Sequence, residues 1–128
     1  MWIQHPRLGA FSVVLADDLT TGRPDPTTVM IRARTRRHLE LLQAAHPKLA
    51  GHEILQSPPQ LDYRFRLVCR KEEWAAALSA MALELDYRNV KSAAHAAEDQ
   101  VGSPFVRALH RVHADLEKIQ RASAADPE

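Results

Sequence analysis

Two short segments alternate so strictly that they leave the chain little choice of architecture. In Tyr63-Arg64-Phe65-Arg66-Leu67-Val68-Cys69, the residues Tyr63, Phe65, Leu67 and Cys69 fall on one side, and Arg64, Arg66 and Val68 on the other. Thr28-Val29-Met30-Ile31-Arg32-Ala33-Arg34 repeats the plan, with Val29, Ile31 and Ala33 opposed to Met30, Arg32 and Arg34. A period of two is that of a β-strand. One apolar side and one charged side mark a sheet with a single face on the core. Something apolar has to cover that face, and the rest of the chain supplies it.

Ala10-Phe11-Ser12-Val13-Val14-Leu15-Ala16 reads as a further buried strand after Gly9, with Trp2 and Ile3 as a short partner segment before Pro6. Residues 17–26 carry loop chemistry, and residues 52–56 form a short strand stopped by Pro58-Pro59. Thr35 caps a helix that presents Leu39, Leu42 and Ala45 on one face and ends at His46-Pro47, because the residue before proline is pushed out of helical geometry. A long helical stretch spans about 71–97, with a break near 86–89. Trp74, Leu78, Met81 and Leu85 form its apolar stripe, and Glu72 and Glu73 suit its positive N-terminal end. Gly102-Ser103-Pro104 signals a restart, after which Phe105, Leu109, Val112, Leu116 and Ile119 recur at steps of four and three. The order ββαββαα predicts an α+β fold. It is a two-layer sandwich in which a mainly antiparallel sheet of about four strands carries helices on one face. One domain is expected over 1–121, followed by a frayed tail over 122–128.

Composition narrows function only slightly. A chain of 128 residues with 45% hydrophobic and 26% charged residues can build a core without staples. The net charge of +1 assigns any electrostatic role to local clustering. Cys69 is the only cysteine, so no intramolecular disulfide forms, which suits a reducing compartment. The opening residues lack a basic segment followed by an apolar stretch, and no apolar run approaches the roughly 18 residues of a membrane span. The expectation is a cytoplasmic protein with no membrane association and no cofactor.

Several stretches together resemble a family of uncharacterised small bacterial proteins. They are Met1-Trp2, Gly9-Ala10-Phe11-Ser12-Val13-Val14, Met30-Ile31-Arg32-Ala33-Arg34, Asp62-Tyr63-Arg64-Phe65-Arg66, Glu72-Glu73-Trp74 and Ala108-Leu109-His110-Arg111-Val112. The resemblance covers most of the chain and implies a compact one-domain protein. It carries over no activity.

Four constellations compete as sites. Arg32, Arg34, Arg64 and Arg66 project from one open sheet face if their strands are neighbours, and guanidinium groups hold phosphate through paired hydrogen bonds. Tyr63 and Phe65 should point the other way, so the aromatic platform of an RNA-binding sheet is missing. The ordinary alternative is a solvated face of Arg paired with Asp and Glu. His110, His113 and Glu117 sit near one helical face, where a divalent metal could bridge them, although no stronger metal motif accompanies them. Cys69 ends a core-facing row and reads as an inert small hydrophobe. Asp17-Asp18 read as loop charge, and no P-loop, dinucleotide fingerprint or nucleophile elbow occurs. The seam Phe105, Leu109, Val112 and Leu116 either packs within the domain or pairs two copies into a homodimer.

The reading that follows is a non-enzymatic binding or regulatory module working by protein–protein contact or self-association. The second and third helices would form the interface, with Trp74 or Tyr87 as an anchor wherever exposed. Its competitor is a nucleic-acid-binding module built on the four arginines. A third reading is an enzyme assembled from His110, His113 and Glu117.

Overall fold

The computed structural model describes residues 1–125 and is an α+β fold built on an open antiparallel sheet. Five strands lie in the order β1-β2-β3-β5-β4: β1 (Trp2–His5), β2 (Gly9–Asp17), β3 (Pro24–Ala33), β5 (Phe65–Arg70) and β4 (Leu55–Gln56). The helices are α1 (Arg36–Ala45), α2 (Lys71–Leu83), α3 (Val90–Ala96), α4 (Glu98–Val101) and α5 (Ser103–Ala125). Trp2 and Ile3 do form the partner segment, which makes the sheet one strand larger than the four expected.

The two alternating segments pair directly, Ile31 opposite Leu67 and Val29 opposite Cys69, so their apolar sides merge. With Phe11, Val13 and Ala33 they meet Leu39 and Leu42 of α1 and Trp74, Ala77 and Met81 of α2 in the main core. Thr35 caps α1 by accepting from the His38 N–H. Glu73 reaches back to accept from the Arg70 N–H, which lets α2 start with no loop after β5. Its other carboxylate oxygen meets His52 Nε2 at 2.7 Å.

The helical stretch expected over 71–97, with a break near 86–89, is interrupted at residues 84–89. Asp86 leaves the helix to bind Arg7 at 2.9 Å, and Tyr87 sets its ring edge-on to His5. Asn89 then caps α3 by accepting from the Ser92 N–H. After α4, Gly102 takes φ +95, a left-handed conformation that breaks the helix cheaply only for glycine, and α5 restarts. The tail expected over 122–128 overlaps α5 as far as Ala125, and positions 126–128 lie outside the described residues.

The last three helices have their own small core: Ala94, Val101, Phe105, Val106 and Leu109. Ala10 and Leu41 pack against it, and His38 joins it to the sheet. The His38 Nδ1 accepts from the Ala10 N–H at 3.3 Å, which leaves the Nε2–H to donate to the Val101 carbonyl at 3.0 Å. The ring also lies edge-on to Phe105, with centroids 5.1 Å apart. Gly9, at φ +109, passes directly beneath this ring, and a Cβ there would overlap it.

Burial holds the His38 pKa below 6.5, and only the neutral ring makes both hydrogen bonds. The unfolded chain therefore takes up the proton first as pH falls, so the stability His38 contributes is present above 6.5 and lost below it. Glu73, held below 4.5 mainly by its bond to His52, adds a second loss as pH falls under 4.5. Urea melts between pH 7.5 and 3.5 should show this two-stage decline. His38→Gln should flatten most of the first stage, with the remainder due to His5, whose pKa burial also lowers. Gly9→Ala should cost about 2 kcal/mol or more, since it adds left-handed strain to a displaced imidazole.

Candidate functional site

The pairing register decides which side chains share the face turned away from α1 and α2. Trp2 opposes Ser12, Ser12 opposes Arg32, Arg32 opposes Arg66 and Arg66 opposes Leu55, giving one row across all five strands. The adjacent row is Val14, Met30 and Val68. Val14, Val68 and Leu55 are exposed, and Trp2 is 77% exposed, so this face shows apolar surface as well as charge.

Arg32 and Arg66 are thus direct cross-strand neighbours of like charge, an arrangement that ordinarily destabilises a sheet. Neither meets a carboxylate among the described residues. Arg32 donates to the Ser12 hydroxyl at 2.7 Å, while Arg66 donates to the Ser57 hydroxyl and lies 3.7 Å from the Met30 sulfur. The Nε of each is buried without a hydrogen-bond partner. Arg34 differs, since it donates to Asp62 at 2.7 Å in an exposed pair.

Tyr63 departs from the alternation that should have sent it inward. Its φ of +53 is left-handed, rare for a bulky residue, and β5 begins only at Phe65. The ring consequently lies on the arginine side, with the Arg34 guanidinium 4.2 Å and that of Arg32 4.6 Å from its centroid. Arg64 is drawn elsewhere. It sits over the Phe65 ring at 5.7 Å and meets the Gln56 amide oxygen at 2.7 Å when that amide is turned toward it. The structure therefore gathers Arg32 and Arg34 around Tyr63, keeps Arg66 beside Arg32 across the strands, and leaves Arg64 outside.

The other expected residues scatter. Trp74 is 4% exposed in the main core and offers no exposed anchor, and Tyr87 is half-buried against His5. Phe105 and Leu109 are buried, whereas Val112, Leu116 and Ile119, on the same side of α5, are exposed. The seam is satisfied in its first half only. His113 and Glu117 pair at 3.1 Å, Glu117 also holds Arg121, and His110 makes no contact with them. No group of three metal-ligating side chains forms among the described residues. Burial pushes the Cys69 thiol up to about 11, so it is no nucleophile.

Beside Tyr63, a cavity of about 370 Å³ opens between α5 and the end of the sheet marked by Gln4 and Ala10. Trp2, Phe11, Phe105, Leu109 and Val112 make its walls largely apolar, and Arg34, Gln4, Thr35 and His38 are its polar members. The sequence held no sign of this cavity, because it depends on how α5 docks.

No family model, curated protein or solved structure matches the chain. No helix among the described residues is long and apolar enough to cross a membrane.

A double-mutant cycle of Arg32→Gln and Arg66→Gln measures the cross-strand repulsion. The coupling should be unfavourable by about 0.2–1 kcal/mol and shrink with added salt. A favourable or absent coupling would mean that the two charges do not oppose one another.

Proposed function

We propose that this chain is a non-enzymatic binding module that receives an acidic, partly apolar protein surface on the open face of its sheet. The carrying observation is the Arg32–Arg66 pair: two arginines at directly opposed cross-strand positions, neither with a carboxylate among the described residues, set in exposed apolar surface. A carboxylate from a partner would relieve the repulsion and accept from both groups. Arginine, methionine and aromatic residues are the types that interface cores favour, and Arg32, Arg66, Met30 and Trp2 are together here. The exposed stripe Val112, Leu116 and Ile119 extends the apolar surface beyond the cavity. This reading keeps the third helix, as α5, in the interface and replaces the second with the sheet, since Trp74 is buried.

A nucleic-acid reading draws on Tyr63, which is turned onto the arginine face. It is the weaker of the two. A phosphate backbone favours a stripe of cations, whereas Arg32 and Arg66 border Val14, Met30 and Val68.

The test pairs affinity capture with two variants, Arg66→Glu and the double change Leu116→Glu with Ile119→Glu. Each captured partner is purified and measured by calorimetry at two salt concentrations. The expected outcome is an acidic partner whose affinity falls at least about tenfold with Arg66→Glu, the loss of one charged hydrogen-bonded pair. Arg66→Glu itself should stay folded, because it turns a repulsive neighbour of Arg32 into an attractive one. Equal affinity for wild type and Arg66→Glu would overturn the proposal. Salt-sensitive binding of a single-stranded oligonucleotide, with no protein partner, would favour the second reading. A dimer by light scattering, abolished by the α5 changes, would assign the stripe to self-association.

A further inference from the structure

The cavity beside Arg34 is set apart from the Arg32–Arg66 pair by its shape and by its chemistry. Its volume of about 370 Å³ lies at the lower end of the roughly 300–1,000 Å³ of small-ligand sites. Its walls come from both ends of the chain: Trp2 and Phe11 from the sheet, Phe105, Leu109 and Val112 from α5. An apolar body of the size of an aromatic ring with a short chain would bury its surface against these side chains.

Apart from the phenol of Tyr63, which lies against the Arg34 guanidinium, the four polar members are not equivalent. Both ring nitrogens of His38 are engaged, with Ala10 and Val101. Thr35 uses its hydroxyl to cap α1. Gln4 makes no side-chain hydrogen bond among the described residues. Arg34 gives only one nitrogen to Asp62, in a pair whose side chains are 65% and 70% exposed. Such exposed pairs hold weakly, and Tyr63 fixes the plane of the guanidinium 4.2 Å from its ring. What can meet a ligand is therefore one oriented guanidinium and one amide at the rim of an apolar chamber. Around Tyr63 the balance is two cations, Arg32 and Arg34, against one carboxylate, Asp62, an excess of one positive charge.

We propose that this cavity binds a small apolar monocarboxylate, its aryl or branched acyl body among Trp2, Phe11, Phe105, Leu109 and Val112 and its carboxylate on Arg34. Gln4 donates a second hydrogen bond from its amide. A single negative charge matches the surplus at the rim, whereas a cation meets repulsion from Arg34 and a neutral body leaves its donors unused. This site differs from the Arg32–Arg66 pair in that its carboxylate rests on Arg34, while Trp2 and Val112 border both surfaces.

The probes are 3-phenylpropionate and its uncharged counterpart 3-phenylpropanol, titrated into the full chain. Trp2 emission and amide shifts of Gln4 and Ala108 report occupancy, and Trp74, at 4% exposure, contributes a constant background. The acid should bind saturably and at least about tenfold more tightly than the alcohol, the ratio expected for one charge-assisted pair. Arg34→Gln should bring the acid down to the affinity of the alcohol while leaving the alcohol unchanged. Ala108→Phe, which fills the cavity from α5, should abolish both. Circular dichroism checks that each variant folds, and Arg34→Gln alone tests the proposal should Ala108→Phe disturb α5. Absence of saturable shifts with both probes would overturn it. So would equal binding of acid and alcohol, or acid binding that survives Arg34→Gln.

Discussion

The two hydrogen bonds of His38 decide how this molecule is put together. One ring nitrogen accepts from the sheet at Ala10 and the other donates to the end of α4 at Val101, across 63 residues of chain. The helices α3 to α5 have a small core of their own, too small to stand alone, and Ala10 of the sheet and Leu41 of α1 pack against it beside this ring. The position of α5 follows from that junction, and with it the cavity and the outward course of Val112, Leu116 and Ile119. Gly9 is part of the same device, since only a residue without a side chain lets the ring lie over the strand. A buried imidazole serves here because its neutral form carries one donor and one acceptor on opposite sides, matching one N–H and one carbonyl.

The open sheet face is governed by a conflict. The register that merges the apolar sides of β3 and β5 in the core unavoidably places Arg32 opposite Arg66 on the other side. A fold optimised for stability alone would put an acidic residue at one of these positions. The chain instead satisfies them with serine hydroxyls and spends a left-handed Tyr63 to brace Arg32 and Arg34. Local strain and unrelieved like charge on the same small surface are the physical grounds for reading it as a place where a partner's carboxylate belongs. The adjoining cavity has a different polarity and one available cation, which is why it suits a small acid.

Much of the architecture was legible. Alternation in residues 28–34 and 63–69 gave the central strand pair, Thr35 and His46-Pro47 bounded α1, and Gly102-Ser103-Pro104 placed the start of α5. These are signals that reside within a few residues. The break after α2 was legible near residues 86–89, though the contacts that hold it, Asp86 on Arg7 and Tyr87 against His5, are long-range. The misses are long-range as well. Tyr63 lies on the arginine side because the strand starts later than its alternation does, and Arg64 leaves the face because β4 offers it Gln56. His38 gave no local signal, because its partners Ala10 and Val101 lie 28 and 63 residues away. The stripe of α5 was visible in full, but which half is covered depends on where the second core ends.

A neutral His38 fastens the C-terminal helices to the sheet. Long-range ¹H–¹⁵N correlation spectra of the histidine rings test it most directly. At pH 6.5, where an ordinary imidazole is about half protonated, the His38 ring should be predominantly neutral, with its proton on Nε2 and an acceptor signature on Nδ1. A doubly protonated His38 ring at that pH, or a proton on Nδ1, would show that the junction is not made as described. The placement of α5, and of the cavity beneath it, would then lose its basis.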